Sequence, residues 1–202
     1  MKTQEQNKDT NTINNEQIIV FSNTISFRNW LNQHFQDNQA YWIEMTQKDK
    51  NENTFNYIDI VYELLCFGWI DGQKKKIGEN TYLRISKRVK NSFFTEQNKI
   101  RCEVLERQNK MTQAGRQAQL LAKKIEINDE IYKIINSNET IRKNFYSFPK
   151  VYQRIRLYNL NYTLFIRKDL SAKEKQRTIE NFIKNTKQGK MYGNWSDNGR
   201  LK

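Results

Sequence analysis

Seven side chains in the middle of this 202-residue chain carry most of its chemical potential: Trp69, Asp71, Lys74, Arg84, Arg88, Ser92 and Asn98. Asp71 follows a Gly-Trp-Ile turn and precedes Gly72, and Lys74-Lys75-Lys76 comes next. If the segments around Asp71 and Arg88 pair as a hairpin, a carboxylate, guanidinium groups, a hydroxyl and an amide converge under an aromatic lid. Arginine in such a place forks onto a carboxylate or phosphate. Three uses stay open: a structural Asp71–Arg88 charge pair, a site for a small anionic ligand, and catalysis with Asp71 as base. The last needs burial to raise the Asp71 pKa.

Other chemistries find less support. Cys66 lies on an apolar helical face and Cys102 in a charged helix, which reads as two reduced thiols. The single histidine, His34, has no Cys/His cluster around it and no visible activating partner. No metal site, cofactor or His-dependent triad is expected. The protein reads as non-enzymatic more readily than as an enzyme.

The elements that must position these residues follow from periodicity. Residues 22–36 predict a first helix with Phe27, Trp30, Leu31 and Phe35 on one face. Residues 41–47 alternate as a strand containing Trp42. After a polar loop at 49–53, a helix over 57–67 buries Ile60, Val61, Leu64 and Leu65. Gly68 suits its C-terminal cap. Residues 69–76 and 82–87 predict a hairpin through Gly78-Glu79-Asn80. Trp30, Trp42, Phe67 and Trp69 are expected in one cluster. From Thr95 onward the period is helical, over 95–109, 111–122, 129–136, 139–145, 150–166 and 171–186. Pro149 fits a helical first turn and Ser171 with Glu174 a capping box. The expected fold is α+β: mainly helical, with a small antiparallel sheet in the N-terminal half and a helical C-terminal half. The expected organisation is a disordered tail over 1–20, an α+β domain over 21–125, a helical subdomain over 126–192 and a frayed tail over 193–202.

Hydrophobic content of 37% is low, but 12% aromatic residues suffice for a core. No signal-peptide pattern and no transmembrane run is present, so the expected location is cytoplasmic. The net charge of +13 is uneven. Residues 24–72 carry 3 basic and 7 acidic side chains, whereas 73–124 carry 14 and 4 and 138–202 carry 15 and 5. A focused positive surface suits an anionic small molecule, and nonspecific nucleic-acid binding is the alternative partner class. Lys74-Lys75-Lys76 and Lys87-Arg88-Val89-Lys90 flank Phe93-Phe94, where bases would stack and lysines hold phosphates. A solvated, lysine-rich surface explains the same charge. The helix over 150–166, with Arg154, Arg156 and Arg167 bordering Val151, Ile155, Tyr158, Tyr162 and Phe165, also has the pattern of a membrane-surface helix.

Several motifs together resemble the bacterial bacteriocin-protection family, also called YdeI/OmpD-associated, over roughly residues 22–192. They are Phe27-Arg28-Asn29-Trp30-Leu31, Trp42-Ile43, Cys66-Phe67-Gly68-Trp69-Ile70-Asp71-Gly72, Tyr82-Leu83, Arg88, Ser92-Phe93-Phe94-Thr95 with Asn98, Met111-Thr112-Gln113-Ala114-Gly115 and Gly189-Lys190. The chain departs from the pattern at Phe94-Thr95, in place of Trp-Ser, and at Lys87-Arg88-Val89-Lys90, in place of a Pro-Arg-Arg-Pro-like run. The resemblance implies bacteriocin or antimicrobial-peptide protection in an envelope-stress response. A +13 protein repels cationic peptides, so the implied effect is indirect, through an intracellular ligand or protein partner.

Overall fold

A computed structural model describes residues 12–45 and 56–201. The chain forms two compact units: residues 1–92 with 105–122, and residues 93–104 with 123–202. The division at 122/123 lies close to the boundary expected at 125/126, but residues 93–104, expected in the first domain, belong to the second unit.

In the first unit, β1 (Thr12–Ile13) and β2 (Glu16–Ile19) form a hairpin whose turn residues Asn14 and Asn15 have φ of 53° and 64°. Two left-handed asparagines make the type I′-like turn that matches strand twist. Residues 12–19 of the expected tail are thus ordered strand, and residues 1–11 lie outside the described residues. Helix α1 (Thr24–His34) starts at a capping box between Asn23 and Ser26 and buries Phe27 and Leu31. It leads into β3 (Tyr41–Met45), which pairs in parallel with β2, Ile18 opposite Trp42. The polar loop at 49–53 and the predicted end of this strand at 46–47 lie outside the described residues.

Helix α2 (Tyr57–Cys66) is capped by Asn56 and ends at Phe67-Gly68, with Gly68 at φ +74°. β4 (Trp69–Ile77) and β5 (Asn80–Lys87) complete a sheet of order β1-β2-β3-β5-β4. The sheet is mixed, not purely antiparallel as expected. The reason is the helical crossover: α1 carries the chain back to start β3 alongside β2, which only a parallel pair allows. Helix α4 (Gln113–Leu120), capped by Thr112, packs against α2.

Helix α3 (Glu96–Arg107) belongs to the second unit through Val104 and to the first from Leu105. The second unit is otherwise helical: α5 (Asp129–Asn136), α6 (Glu139–Ser147), α7 (Lys150–Asn161), a π-helical turn (Tyr162–Ile166) and α8 (Ala172–Lys187). Ile131, Ile135, Ile141, Phe145, Leu160 and Phe182 form its core. Ser171 and Glu174 make the predicted capping box, and Pro149 sits at the N-cap of α7. The apolar positions Ile155 and Tyr158 of α7 are buried, as in an ordinary globular helix. Residues 193–201 are not frayed: Asp197 and Leu201 are fully buried, and Arg101 grips Asp197 at 2.7 and 2.8 Å. Among the described residues no helix is long and apolar enough to cross a membrane.

Candidate functional site

The β4–β5 hairpin decides the fate of the expected constellation. Its turn pairs Ile77 with Asn80, and that register continued unchanged would set Asp71 opposite Ser86, on the face of Arg84. A bulge intervenes: residues 72–73 oppose the single residue Arg84, and Asp71 faces Ile85 instead. A slip of one residue moves a side chain to the other face of a sheet. Asp71 and Lys74 therefore share the face of buried Leu83 and Ile85, while Arg84 lies on the opposite face beside Trp42.

Each residue of the set has a definite place. Asp71 Oδ2 accepts from the Tyr57 hydroxyl at 2.6 Å, and Lys74 Nζ lies 3.8 Å from the Tyr57 ring centroid. Arg84 forks onto Glu16 at 2.7 and 2.6 Å. The Arg88 backbone N–H donates to the Gly68 carbonyl at 3.0 Å, closing the base of the hairpin. No Asp71–Arg88 ion pair forms among the described residues, so that expectation is corrected. Ser92 N–H donates to Val89 in a turn. Asn98 belongs to the second unit, where its side-chain oxygen accepts from Arg101 at 2.6 Å. Tyr57, Asp71 and Lys74 form a polar group there, with Tyr57 missed by sequence reasoning.

Trp69 is not a lid. It is fully buried, donates from Nε1 to the Phe35 carbonyl at 3.1 Å, and meets Trp30 and Tyr41 at ring distances of 5.9 and 6.0 Å. The expected single cluster divides, because Trp42 projects from the opposite face of β3 from Tyr41. Lys74-Lys75-Lys76 lies on the outer strand β4, where lysines discourage edge-to-edge pairing. Phe94 is buried, which removes it from the expected base-stacking role, whereas half-buried Phe93 packs edge-on against Tyr162 at 5.3 Å with Lys123 Nζ 5.0 Å from its ring centroid.

The site that the structure does build lies on the Cys66-Phe67-Gly68 segment. Thr112 Oγ1 donates to the Cys66 carbonyl at 2.6 Å, and the backbone of Gly115 settles against α2. A Cβ on Gly115 would lie 2.4 Å from the Cys66 oxygen, and one on Gly68 would lie 2.9 Å from the Ala114 oxygen. Two glycines from distant segments thus permit one close helix approach. Beside it opens a cleft of about 500 Å³, lined by the rings of Phe35 and Phe67, 6.4 Å apart, and by Asn32, Gln36, Gln113 and Gln117. None of its lining side chains is ionisable. Sequence reasoning placed Phe35 and Phe67 in the core and gave the four amides no role.

Next to this cleft is a charge pair in which Glu63 is buried and Arg28 is partly exposed. Arg28 Nη1 donates to Glu63 at 2.7 Å and Nη2 to the Lys110 carbonyl at 2.8 Å, with the guanidinium 5.2 Å from the Phe67 ring centroid. Burial outweighs the attraction of Arg28 and raises the Glu63 pKa from its ordinary value. Burial also pushes the Cys66 thiol up to about 11, so it is protonated at neutral pH and a poor nucleophile. Among the described residues no group of His, Cys, Asp and Glu is placed to hold a metal ion. The arrangement offers apolar contact and amide hydrogen bonds rather than acid–base chemistry.

No curated protein and no solved structure matches the chain. Residues 19–118 are similar to a domain of unknown function, DUF8412, a span running from the end of β2 into α4 that takes in the aromatic cluster and the cleft.

Proposed function

We propose that the first unit is a non-enzymatic binding module whose cleft takes a small uncharged molecule with an apolar body and amide-type hydrogen-bonding edges. The observation that carries this reading is the lining itself: two aromatic rings and four carboxamides, with no ionisable group. Carboxamides both donate and accept, so they suit a heteroaromatic amide or nucleobase-like edge. The anionic ligand expected at Asp71 is less well supported, since Asp71 is already bonded to Tyr57 and Arg84 to Glu16. The resemblance to bacteriocin-protection proteins supports a protective role exerted indirectly, by sensing such a molecule during envelope stress. Two buried free thiols, Cys66 and Cys102, fit a reducing compartment and so a cytoplasmic location.

Titration of adenine and of nicotinamide into isotope-labelled protein, followed by NMR, tests the proposal, with acetate and ethylammonium as charged controls. The neutral probes should shift the side-chain amides of Gln36, Gln113 and Gln117, and Gln113→Leu with Gln117→Leu should abolish the response. Equal responses to the charged controls, or shifts confined to other residues, would refute it.

A further inference from the structure

The second unit holds a buried arginine that its own fold does not neutralise. Arg156, on α7, is only 8% exposed. Its Nη2 donates to the Tyr192 carbonyl at 2.6 Å, and its guanidinium lies 3.8 Å from the Tyr192 ring centroid and 5.1 Å from that of Tyr152. Its Nε is buried with no hydrogen-bond partner, and no carboxylate pairs with it among the described residues. A buried cation without a counter-charge is costly, and proteins keep one where something else supplies the charge. Ring faces and one carbonyl offer only partial compensation.

Arg156 lines a cavity of about 260 Å³, smaller than the roughly 300–1,000 Å³ of pockets for drug-sized ligands. A second arginine, Arg177 of α8, lines it too, together with the hydroxyls of Thr163 and Thr178 and the amides of Asn159 and Asn181. No acidic side chain does. The nearest carboxylates on α8 are engaged elsewhere: Glu174 caps the helix with Ser171, and Glu180 accepts from Gln176 at 3.1 Å. The Thr178 hydroxyl donates to the Glu174 carbonyl at 3.1 Å, so the cavity presents two guanidinium groups, the Thr163 hydroxyl and two side-chain amides as donors. Gly193, at φ +77°, brings the chain beside the guanidinium, where even a Cβ would lie 3.5 Å from Nη2.

We infer that this cavity is a phosphate-recognition site, held between α7 and α8 and independent of the cleft in the first unit. Two forked cations match a doubly charged, tetrahedral group whose several oxygens can take two arginines, the Thr163 hydroxyl and an amide at once. A carboxylate offers one charge and two oxygens and would leave one arginine uncompensated. The source is either free phosphate or a phosphomonoester, and both present the same group.

The test uses the full chain with inorganic phosphate, methyl phosphate and acetate, each at the same ionic strength in chloride. Binding to the native state raises the melting temperature as the ligand concentration exceeds Kd. Inorganic phosphate or methyl phosphate should raise it and acetate should not, and phosphorus NMR should show the bound anion. Tighter binding of methyl phosphate assigns the site to a phosphomonoester, and tighter binding of inorganic phosphate assigns it to the free ion. Arg177→Gln, at an exposed position, should weaken binding at least tenfold without loss of fold. Arg156→Lys keeps the charge but loses the fork and should weaken it comparably. Stabilisation no greater than that by chloride, or unchanged affinity in Arg177→Gln, would overturn the inference.

Discussion

Arg101 and Arg156 are both largely buried in the second unit, and the fold treats them oppositely. Arg101 forks onto Asp197, whose side chain is fully buried, and also donates to Asn98. Arg156 meets aromatic faces and a carbonyl but no carboxylate. Arg101 is a completed charge pair that ties residues 193–201 to α3, whereas Arg156 carries a charge that the folded chain leaves open to a ligand. In the first unit, Arg28 shows a third arrangement: the arginine is partly exposed and its partner Glu63 is the buried group. Burial of an arginine therefore says little by itself. What faces it separates structure from recognition.

The comparison can be broken most forcefully at Asp197. Asp197→Ala would leave Arg101 buried without its counter-charge, and loss of one partner from a buried pair costs about 3–5 kcal/mol. Urea denaturation of the variant measures this. A loss below about 1 kcal/mol would mean that an uncompensated arginine is cheap in this unit, and the argument from Arg156 would lose its force.

A smaller effect is expected at Glu63, and its sign is informative. Because burial raises the Glu63 pKa, the folded protein holds that proton more tightly than the unfolded chain. The Glu63 contribution is thus fullest below the ordinary carboxylate pKa and is lost as pH rises through the raised value. Glu63→Gln keeps a hydrogen-bond acceptor for Arg28 and removes the titration. Wild type should therefore lose stability relative to the variant as pH climbs from the ordinary carboxylate pKa toward neutrality. A difference that is flat or runs the other way would show that Arg28 fully compensates the buried carboxylate.

The smallest effect belongs to Glu16, whose pKa is lowered chiefly by the hydrogen bond from Arg84. Its contribution is present above the ordinary carboxylate pKa and lost as pH falls through the lowered one. Both partners are substantially exposed, so Glu16→Gln should cost under about 1 kcal/mol at neutral pH and nothing at the acid end. Parallel pH series for the Glu63 and Glu16 variants should slope in opposite directions. Matching slopes would contradict the assignment of one as buried and the other as paired at the surface.

Helices were the most legible part of the sequence. Apolar spacing placed α1, α2, α5 and α8 within a few residues, and Ser171 with Glu174 marked a cap without any tertiary information. The Asn14-Asn15 turn was legible in principle, but the short, polar strands around it gave too little apolar alternation to separate them from a tail. The site was less legible. Turn type suggests one register for β4 and β5, and the bulge at residues 72–73 imposes another. Gly72 is a local hint of that bulge, since a glycine inside a strand often marks one, but it does not say which face each neighbour takes. The bulge sends Asp71 and Arg84 to opposite faces and dissolves the expected constellation.

The sequence by itself determined the local elements: where helices begin and end, where the hairpin turns, and that aromatic residues supply the first unit's core. These follow from short-range sterics, capping and periodicity, which act over a few residues. Only the tertiary structure decided which charges are satisfied. Arg84 found Glu16 across 68 positions, Arg101 found Asp197 across 96, and Arg156 is left with donors and rings in a cavity free of carboxylates. Compensation of a charge depends on distance and burial in space, and chain spacing carries neither.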